Sequence, residues 1–186
     1  MIKTSVIQKL GKELTKKELE VINAYLKKEF NSKNLVDPKA TNDEWNKIYF
    51  LVKGGKANKL LSFGCFHNVT ISYKDEKYDV LGIARVVSVE KSKGYGRTLM
   101  DEMRRYMIEN NKIGVGFCNP NTSEFYKKSS FFIAKNSQNR FVYKEEDKEI
   151  KSKWEKGDVI VFDTTKQLLS SLLNTNKVFT ISRPHW

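Results

Sequence analysis

Residues 91–98, Lys-Ser-Lys-Gly-Tyr-Gly-Arg-Thr, bring the residue types best able to do chemistry into the shortest stretch of the chain. Gly94 and Gly96 permit backbone conformations and close approaches that a Cβ blocks, so successive amides can converge on one bound group. Lys91, Lys93 and Arg97 surround that turn with cationic charge, and Ser92, Tyr95 and Thr98 lie between them. From Arg97 onward the spacing is helical, with Leu99, Met100, Met103, Tyr106 and Met107 on one face and Asp101, Glu102, Arg104 and Arg105 largely on the other. A helix that opens directly after a glycine turn presents unpaired N–H groups and the positive end of its dipole. That combination holds an anion, with phosphate as its natural occupant. The turn is not a Walker lysine motif, because no Gly-Lys-Ser/Thr follows at the required spacing. Nor is it the dinucleotide fingerprint, whose third glycine would fall near Leu99.

Two apolar runs stand on either side of this turn and its helix. Residues 81–89, LGIARVVSV, form an aliphatic run of the kind buried on both faces inside a sheet, and they end at Glu90. Ile113–Cys118, IGVGFC, reads as a second short buried strand. Asn119-Pro120-Asn121-Thr122-Ser123-Glu124-Phe125-Tyr126-Lys127-Lys128 follows as a turn feeding a helix.

The first turn resembles the acyl-CoA loop of the GCN5-related N-acetyltransferases, Gln/Arg-x-x-Gly-x-Gly/Ala after a hydrophobic strand. Lys91 stands at the Gln/Arg position, and Gly94 and Gly96 match. A later motif of that family, Asn-x-x-Ala-x-x-Phe/Leu-Tyr-x-Lys-x-Gly-Phe, is matched at Asn119, Phe125, Tyr126, Lys128 and Phe131, with Thr122 for the alanine and Ser130 for the glycine. The resemblance implies an α/β fold: a central mixed, mostly antiparallel twisted sheet flanked by helices, with acyl-CoA bound at a splayed parallel strand pair. It implies that the amides of Lys91, Ser92, Lys93, Gly94, Tyr95 and Gly96, with Arg97 and Thr98 behind them, take the CoA pyrophosphate. The backbone around Val86, Val87 and Ser88 would meet the pantetheine arm, and Asn119 would belong to the cofactor side.

Acetylating an amine requires a neutral amine, attack on a thioester, and a proton for the departing thiolate. Tyr126 stands where this family commonly supplies that proton, and a phenol with its ordinary pKa near 10 is a suitable donor. His67 is a candidate base, because an imidazole titrates near neutrality. Asp79 and Glu90 are weaker candidates, and Cys118 reads as a buried core thiol. Within the superfamily the chain is similar, over about half its length, to the aminoglycoside 2′-N-acetyltransferases. The shared features are Asp43-Glu44-Trp45 near the second strand, a late strand at 158–163 and the terminal Trp186. That likeness implies acceptor contacts from Asp37, Asp43, Glu44, Trp45 and Trp186. It departs at Gly82, where those enzymes carry a glutamate, and in the basic tail Ser182-Arg183-Pro184-His185.

The 186 residues are expected to form one N-acetyltransferase domain, with no linker and no internal repeat. A hydrophobic fraction of 39%, 12% of residues being aromatic, argues against disorder. No apolar run approaches a membrane span of roughly 20 residues, and the opening MIKTSVIQKL lacks the apolar core of a leader. Two cysteines, Cys65 and Cys118, fit reduced thiols rather than a disulfide framework or metal site. A cytoplasmic protein without metal is therefore expected. The net charge of +12 admits a nucleic-acid partner, but lysine is scattered and no dense basic tract appears. The expected partner is a small-molecule or peptide amine, with acetyl-CoA as donor and a monomeric or homodimeric protein. A non-catalytic CoA- or nucleic-acid-binding module on the same fold is the rival reading.

Along the chain, Thr15 and Glu18 form a capping box for a helix that places Leu19, Ile22, Leu26 and Phe30 on one face. Residues 31–42 read as a loop, 48–53 and 60–73 as strands joined at Gly54-Gly55, and 131–135, 140–143 and 158–163 as later strands. The charged stretch 144–156 reads as a solvated loop, and Gln167–Leu173 as a short helix or turn.

Overall fold

A computed structural model of the chain describes residues 3–31, 35–37, 42–145, 148–150, 157–173 and 177–184. In chain order the elements are β1 (Thr4–Leu10), α1 (Lys16–Phe30), α2 (Asn42–Asn46), β2 (Ile48–Gly54), β3 (Lys59–Tyr73), β4 (Glu76–Ser88), α3 (Tyr95–Glu109), β5 (Ile113–Cys118), α4 (Ser123–Lys128), β6 (Phe132–Ala134), β7 (Phe141–Glu145), β8 (Lys148–Ile150), β9 (Asp158–Phe162), α5 (Gln167–Leu173) and β10 (Phe179–Ile181). By contacts the chain divides into two compact units, Met1–His67 with Ala84–Met103, and Asn68–Ile83 with Arg104–Trp186.

In the first unit, β1 and β2 pair antiparallel from Thr4 opposite Gly54 to Leu10 opposite Ile48, and β2 pairs antiparallel with β3. The capping box of α1 is made as the sequence indicates: the Thr15 hydroxyl accepts from the Glu18 amide at 3.3 Å, and the Glu18 carboxylate accepts from the Thr15 amide at 2.7 Å. Ile22 and Leu26 are buried, but Phe30 is 54% exposed. Phe30 is the last residue of α1, and Asn31 ends the helix behind it in the left-handed conformation, so the expected apolar stripe stops one turn early. Asn23 secures the segment after the helix by bonding both the amide and the carbonyl of Val36. Tyr49, Phe50, Leu51, Phe63, Leu99, Met100 and Met103 fill this core.

The second unit carries the strand order β6-β9-β5-β4-β3-β10-β7-β8. Two of its pairings are parallel, β4 with β5 and β10 with β7, while β10 with β3, β5 with β9, β6 with β9 and β7 with β8 are antiparallel. The sheet is therefore mixed and mostly antiparallel, flanked by helices. Its core joins Val69, Ile71, Val80, Val115, Phe141, Val159, Val161, Leu168, Leu172, Phe179 and Ile181. Phe141 and Phe179 stack with centroids 5.1 Å apart.

Three elements depart from expectation. β1 and β10 carry no local strand signal, because each is a short half-polar strand whose pairing partner lies far along the chain. The solvated loop expected at 144–156 instead begins as a hairpin. β7 runs on to Glu145, and β8 sets Lys148 opposite Glu145 and Glu149 opposite Lys144. Backbone pairing does not require apolar side chains at a sheet edge. Residues 151–156 of that stretch lie outside the described residues.

Candidate functional site

β4 delivers the chain to the glycine turn, and its middle is bent. Arg85 stands at φ 53°, the left-handed region that a branched-chain strand avoids and that costs a non-glycine residue about 1–2 kcal/mol. Past the bend the strand is fixed on one side. The Ser62 hydroxyl donates to the Val87 carbonyl at 2.8 Å, and the Val89 amide donates to the Leu61 carbonyl at 2.9 Å. Backbone groups alternate in direction along a strand, so those of Val86 and Ser88 face the opposite edge. The parallel register of β4 with β5 covers Val80–Ile83 only, and Val86 and Ser88 lie beyond it. The Ser88 hydroxyl turns back to the Glu90 carbonyl.

The loop from Glu90 to Gly94 is exposed and turns through Ser92 at φ 60° and Gly94 at φ 83°. α3 opens at Tyr95, with the Thr98 amide bonded to the Gly94 carbonyl at 3.1 Å. Only one of the two glycines carries the turn: Gly96 is already inside the helix and buried, whereas Gly94 needs the conformation that a side chain resists. A Cβ built on Gly94 would meet no heavy atom within 4 Å, so the space over the turn is open. Lys91, Lys93 and Arg97 are exposed around it. The Lys91 ammonium is held 2.7 Å from the Glu29 carboxylate of α1, and Tyr25 of the same helix donates to the Val89 carbonyl at 3.4 Å.

Behind β4 lies a buried charged cluster that sequence reasoning missed. The Arg85 guanidinium reaches both oxygens of Glu44, Nη1 to Oε1 at 2.5 Å and Nη2 to Oε2 at 3.3 Å, and Nη1 also donates to the Tyr49 hydroxyl. Tyr49 donates to Glu44 Oε1 at 2.8 Å, and Lys47 Nζ lies 2.7 Å from Oε2. Burial alone would raise the Glu44 pKa, yet the hydrogen-bonded Arg85 guanidinium, with Lys47, holds the carboxyl down at about 2. The adjacent Cys65 thiol is pushed up to about 11, chiefly by burial. Gly11 makes room for the helix that carries Glu44: its amide donates to the Lys47 carbonyl at 2.9 Å, and a Cβ there would fall 1.9 Å from the Glu44 carbonyl oxygen. The sequence did hold one signal for this cluster, a lone arginine inside the aliphatic run 81–89.

In the second unit, the Asn119 side chain accepts from the Asn121 amide at 2.9 Å and starts the turn into α4. Tyr126 on α4 is buried, its ring edge-on to Phe125 at 5.0 Å and to Phe131 at 6.5 Å. Burial, and then repulsion from the nearby Cys118 thiolate form, push the Tyr126 phenol well above its ordinary pKa. Cys118 itself is pushed up to about 11, first by burial and then by Asp158, so it is a neutral thiol at physiological pH.

No family model matches the chain, and no curated protein matches it. Solved structures do. The GNAT family N-acetyltransferase YhbS of Escherichia coli, in complex with CoA, aligns over 97% of this chain and 90% of its own, at 13% identity and a TM-score of 0.60. Escherichia coli ElaA aligns over 86% and 99%, at 15% identity and a TM-score of 0.55. An N-acetyltransferase from Staphylococcus aureus Mu50 aligns over 86% and 97%, at 13% identity and a TM-score of 0.53. The fold is that of the GCN5-related N-acetyltransferases. At 13–15% identity the likeness is one of fold.

The remaining candidates on this fold are dispersed. Asp37 is exposed in the segment after α1. Asp43 on α2 lies 3.3 Å from Lys47, the residue just after that helix, and Trp45 on the helix is 41% exposed. His67 is buried on β3. Asp79 accepts from the Thr70 hydroxyl at 2.9 Å, and Glu90 is exposed at the end of β4. Trp186 lies outside the described residues. Among the described residues there is no group of three His, Cys, Asp or Glu side chains placed to hold a metal, and no helix long and apolar enough to cross a membrane.

Proposed function

We propose that residues 1–186 act as one N-acetyltransferase domain, moving an acetyl group from acetyl-CoA to a primary amine by direct transfer in a ternary complex. One observation carries this reading: on this fold, a left-handed Gly94 with open space above it leads directly into the 15-residue helix α3. The amides of residues 91–96, the α3 N-terminus and the cations Lys91, Lys93 and Arg97, with Thr98, suit a pyrophosphate. The outward backbone edge of Val86 and Ser88, flanking Val87, suits the amide groups of an extended arm. Asn119 is placed on the cofactor side by its motif.

Acetyl-CoA supplies an activated thioester carbonyl. The acceptor amine attacks that carbonyl carbon, the C–S bond breaks, and the thiolate takes a proton. In this reading the proton comes from Tyr126 Oη, and the neutral phenol that burial enforces keeps it available at every physiological pH. His67 is the candidate to receive the amine proton. Glu44 is buried and bound by Arg85 and Lys47, whereas Asp37, Asp43 and Trp45 are exposed, and these with Trp186 are the acceptor-side residues of this reading. The acceptor is a small-molecule or peptide amine, and the protein works in the cytoplasm.

Calorimetric titration of acetyl-CoA into the wild type and into a Gly94→Glu, Gly96→Glu variant tests the cofactor assignment. Thiol release against a panel of polyamines, aminoglycosides and peptide amines tests turnover. Binding by the wild type that is lost in the variant is expected. A folded wild type that binds no acetyl-CoA refutes the reading, and tight binding without thiol release from any amine would favour the non-catalytic module.

A further inference from the structure

Among the described residues, Arg85 is a left-handed position in the middle of a strand, immediately before the backbone edge of Val86 to Ser88. Such strain persists only where surrounding contacts over-determine it. Here those contacts come from two other elements of the same unit. α2 supplies Glu44, the residue just after it is Lys47, and β2 supplies Tyr49, whose hydroxyl accepts from the guanidinium and donates to the carboxylate. The Arg85 side chain is 18% exposed and the Glu44 side chain 10%, so both charges are largely out of water and the fork between them sets one geometry. Gly11 seats the backbone of α2 closely, with a Cβ there falling 1.9 Å from the Glu44 carbonyl oxygen and its amide bonded to the Lys47 carbonyl, so the carboxylate is presented from a fixed backbone. A buried ion pair of this kind is a weak source of net stability, because well-packed apolar residues of similar volume often replace it without loss. What apolar residues would not reproduce is the directional hold on a bent backbone.

We propose that Glu44 and Arg85, braced by Tyr49 and Lys47, are positioning residues that hold the β4 bend so that the Val86–Ser88 backbone edge is set to receive the arm of an acyl-CoA. This inference rests on the acetyl-CoA reading above. Neither residue touches the reacting atoms, and both act through the strand.

The test compares the wild type with an Arg85→Met, Glu44→Met double variant and with Tyr49→Phe, which removes only the bracing hydroxyl. Three quantities are read: Tm, the acetyl-CoA Kd by calorimetry, and amide hydrogen exchange at residues 86–89. The double variant is expected to melt close to the wild type, to bind acetyl-CoA about tenfold more weakly, equivalent to about 1.4 kcal/mol, and to exchange those amides faster. Tyr49→Phe is expected to move the last two readouts in the same direction by a smaller factor, which keeps the proposal testable if the double variant fails to fold. Wild-type binding that is unchanged in a folded variant overturns the positioning role alone. A wild type that binds no acetyl-CoA overturns the cofactor reading, and exchange at 86–89 then judges the hold on the strand: unchanged protection in the variants overturns that too.

Discussion

Gly94 offers the sharpest test of the cofactor turn, because two separable costs meet there. Gly94→Ala places a Cβ on a backbone at φ 83°, a left-handed conformation that costs an L-residue about 1–2 kcal/mol. Replacing glycine also stiffens the unfolded chain, which returns about 0.4–1 kcal/mol. The net loss is about 1 kcal/mol, or about 2–4 °C in Tm for a chain of this size. No steric cost is added in the free protein, since the new Cβ would meet no heavy atom within 4 Å. Gly94→Glu carries the same backbone cost and adds a carboxylate over the turn. Two unit charges about 5 Å apart repel by about 0.8 kcal/mol at an effective dielectric of about 80, and by about 3 kcal/mol at about 20. Acetyl-CoA affinity should therefore fall about 4-fold to 150-fold in Gly94→Glu beyond any loss in Gly94→Ala, at similar Tm. The gap should narrow as salt is raised. Calorimetry at two ionic strengths, with thermal melts of all three proteins, measures this. Equal acetyl-CoA affinity in wild type and Gly94→Glu would refute the anion-site argument.

Other expectations follow from the same geometry. Tyr126→Phe keeps the ring among Phe125 and Phe131, so it should melt near the wild type while kcat falls by about a hundredfold or more, as measured by thiol release. Because the phenol pKa is raised, the wild-type rate should show no alkaline limb from its ionisation between pH 9 and about 10, where an unperturbed tyrosine would lose its proton. Glu18 and Glu44 both titrate at about 2 in the folded protein against 4.5 unperturbed. Protonation therefore favours the unfolded chain: their stabilisation is complete above about pH 4.5 and is lost as pH falls towards 2. Thermal melts across that window should fall more steeply for the wild type than for Glu44→Gln. Asp163 accepts from the amides of Thr165, Lys166, Leu168 and Leu169 at the start of α5, so Asp163→Ala should cost about 1–2 kcal/mol by chemical denaturation.

How much of this was legible depends on how far each signal reaches along the chain. The α1 cap needed only Thr15 and Glu18, three residues apart, and it is made as read. The buried strand Ile113–Cys118 and the helix Gln167–Leu173 were likewise bounded by their own residues. The face of α3 was legible because a helix repeats its pattern every turn: Leu99, Met100, Met103 and Met107 are all fully buried. Spacing did not distinguish the two glycines of the turn, since Gly96 enters the helix while Gly94 alone takes the left-handed φ. Nor did it distinguish Asp43 from its neighbour Glu44. One residue of helical phase leaves the Asp43 side chain 52% exposed and turns Glu44 towards Arg85, which is 41 positions away.

The order of residues alone determined the elements that close over short distances: the caps, the buried strands, the amphipathic face of α3, and the glycine turn with its cations. These arise from interactions within a few residues, whose geometry the peptide backbone sets. Tertiary structure decided the rest. β1 and β10 exist because strands distant in sequence complete their hydrogen bonds, and the β4 bend persists because a carboxylate on α2 and a hydroxyl on β2 converge on one guanidinium. Such convergence costs chain entropy that no local pattern records, and it is recovered only when the folded chain takes those groups out of water together.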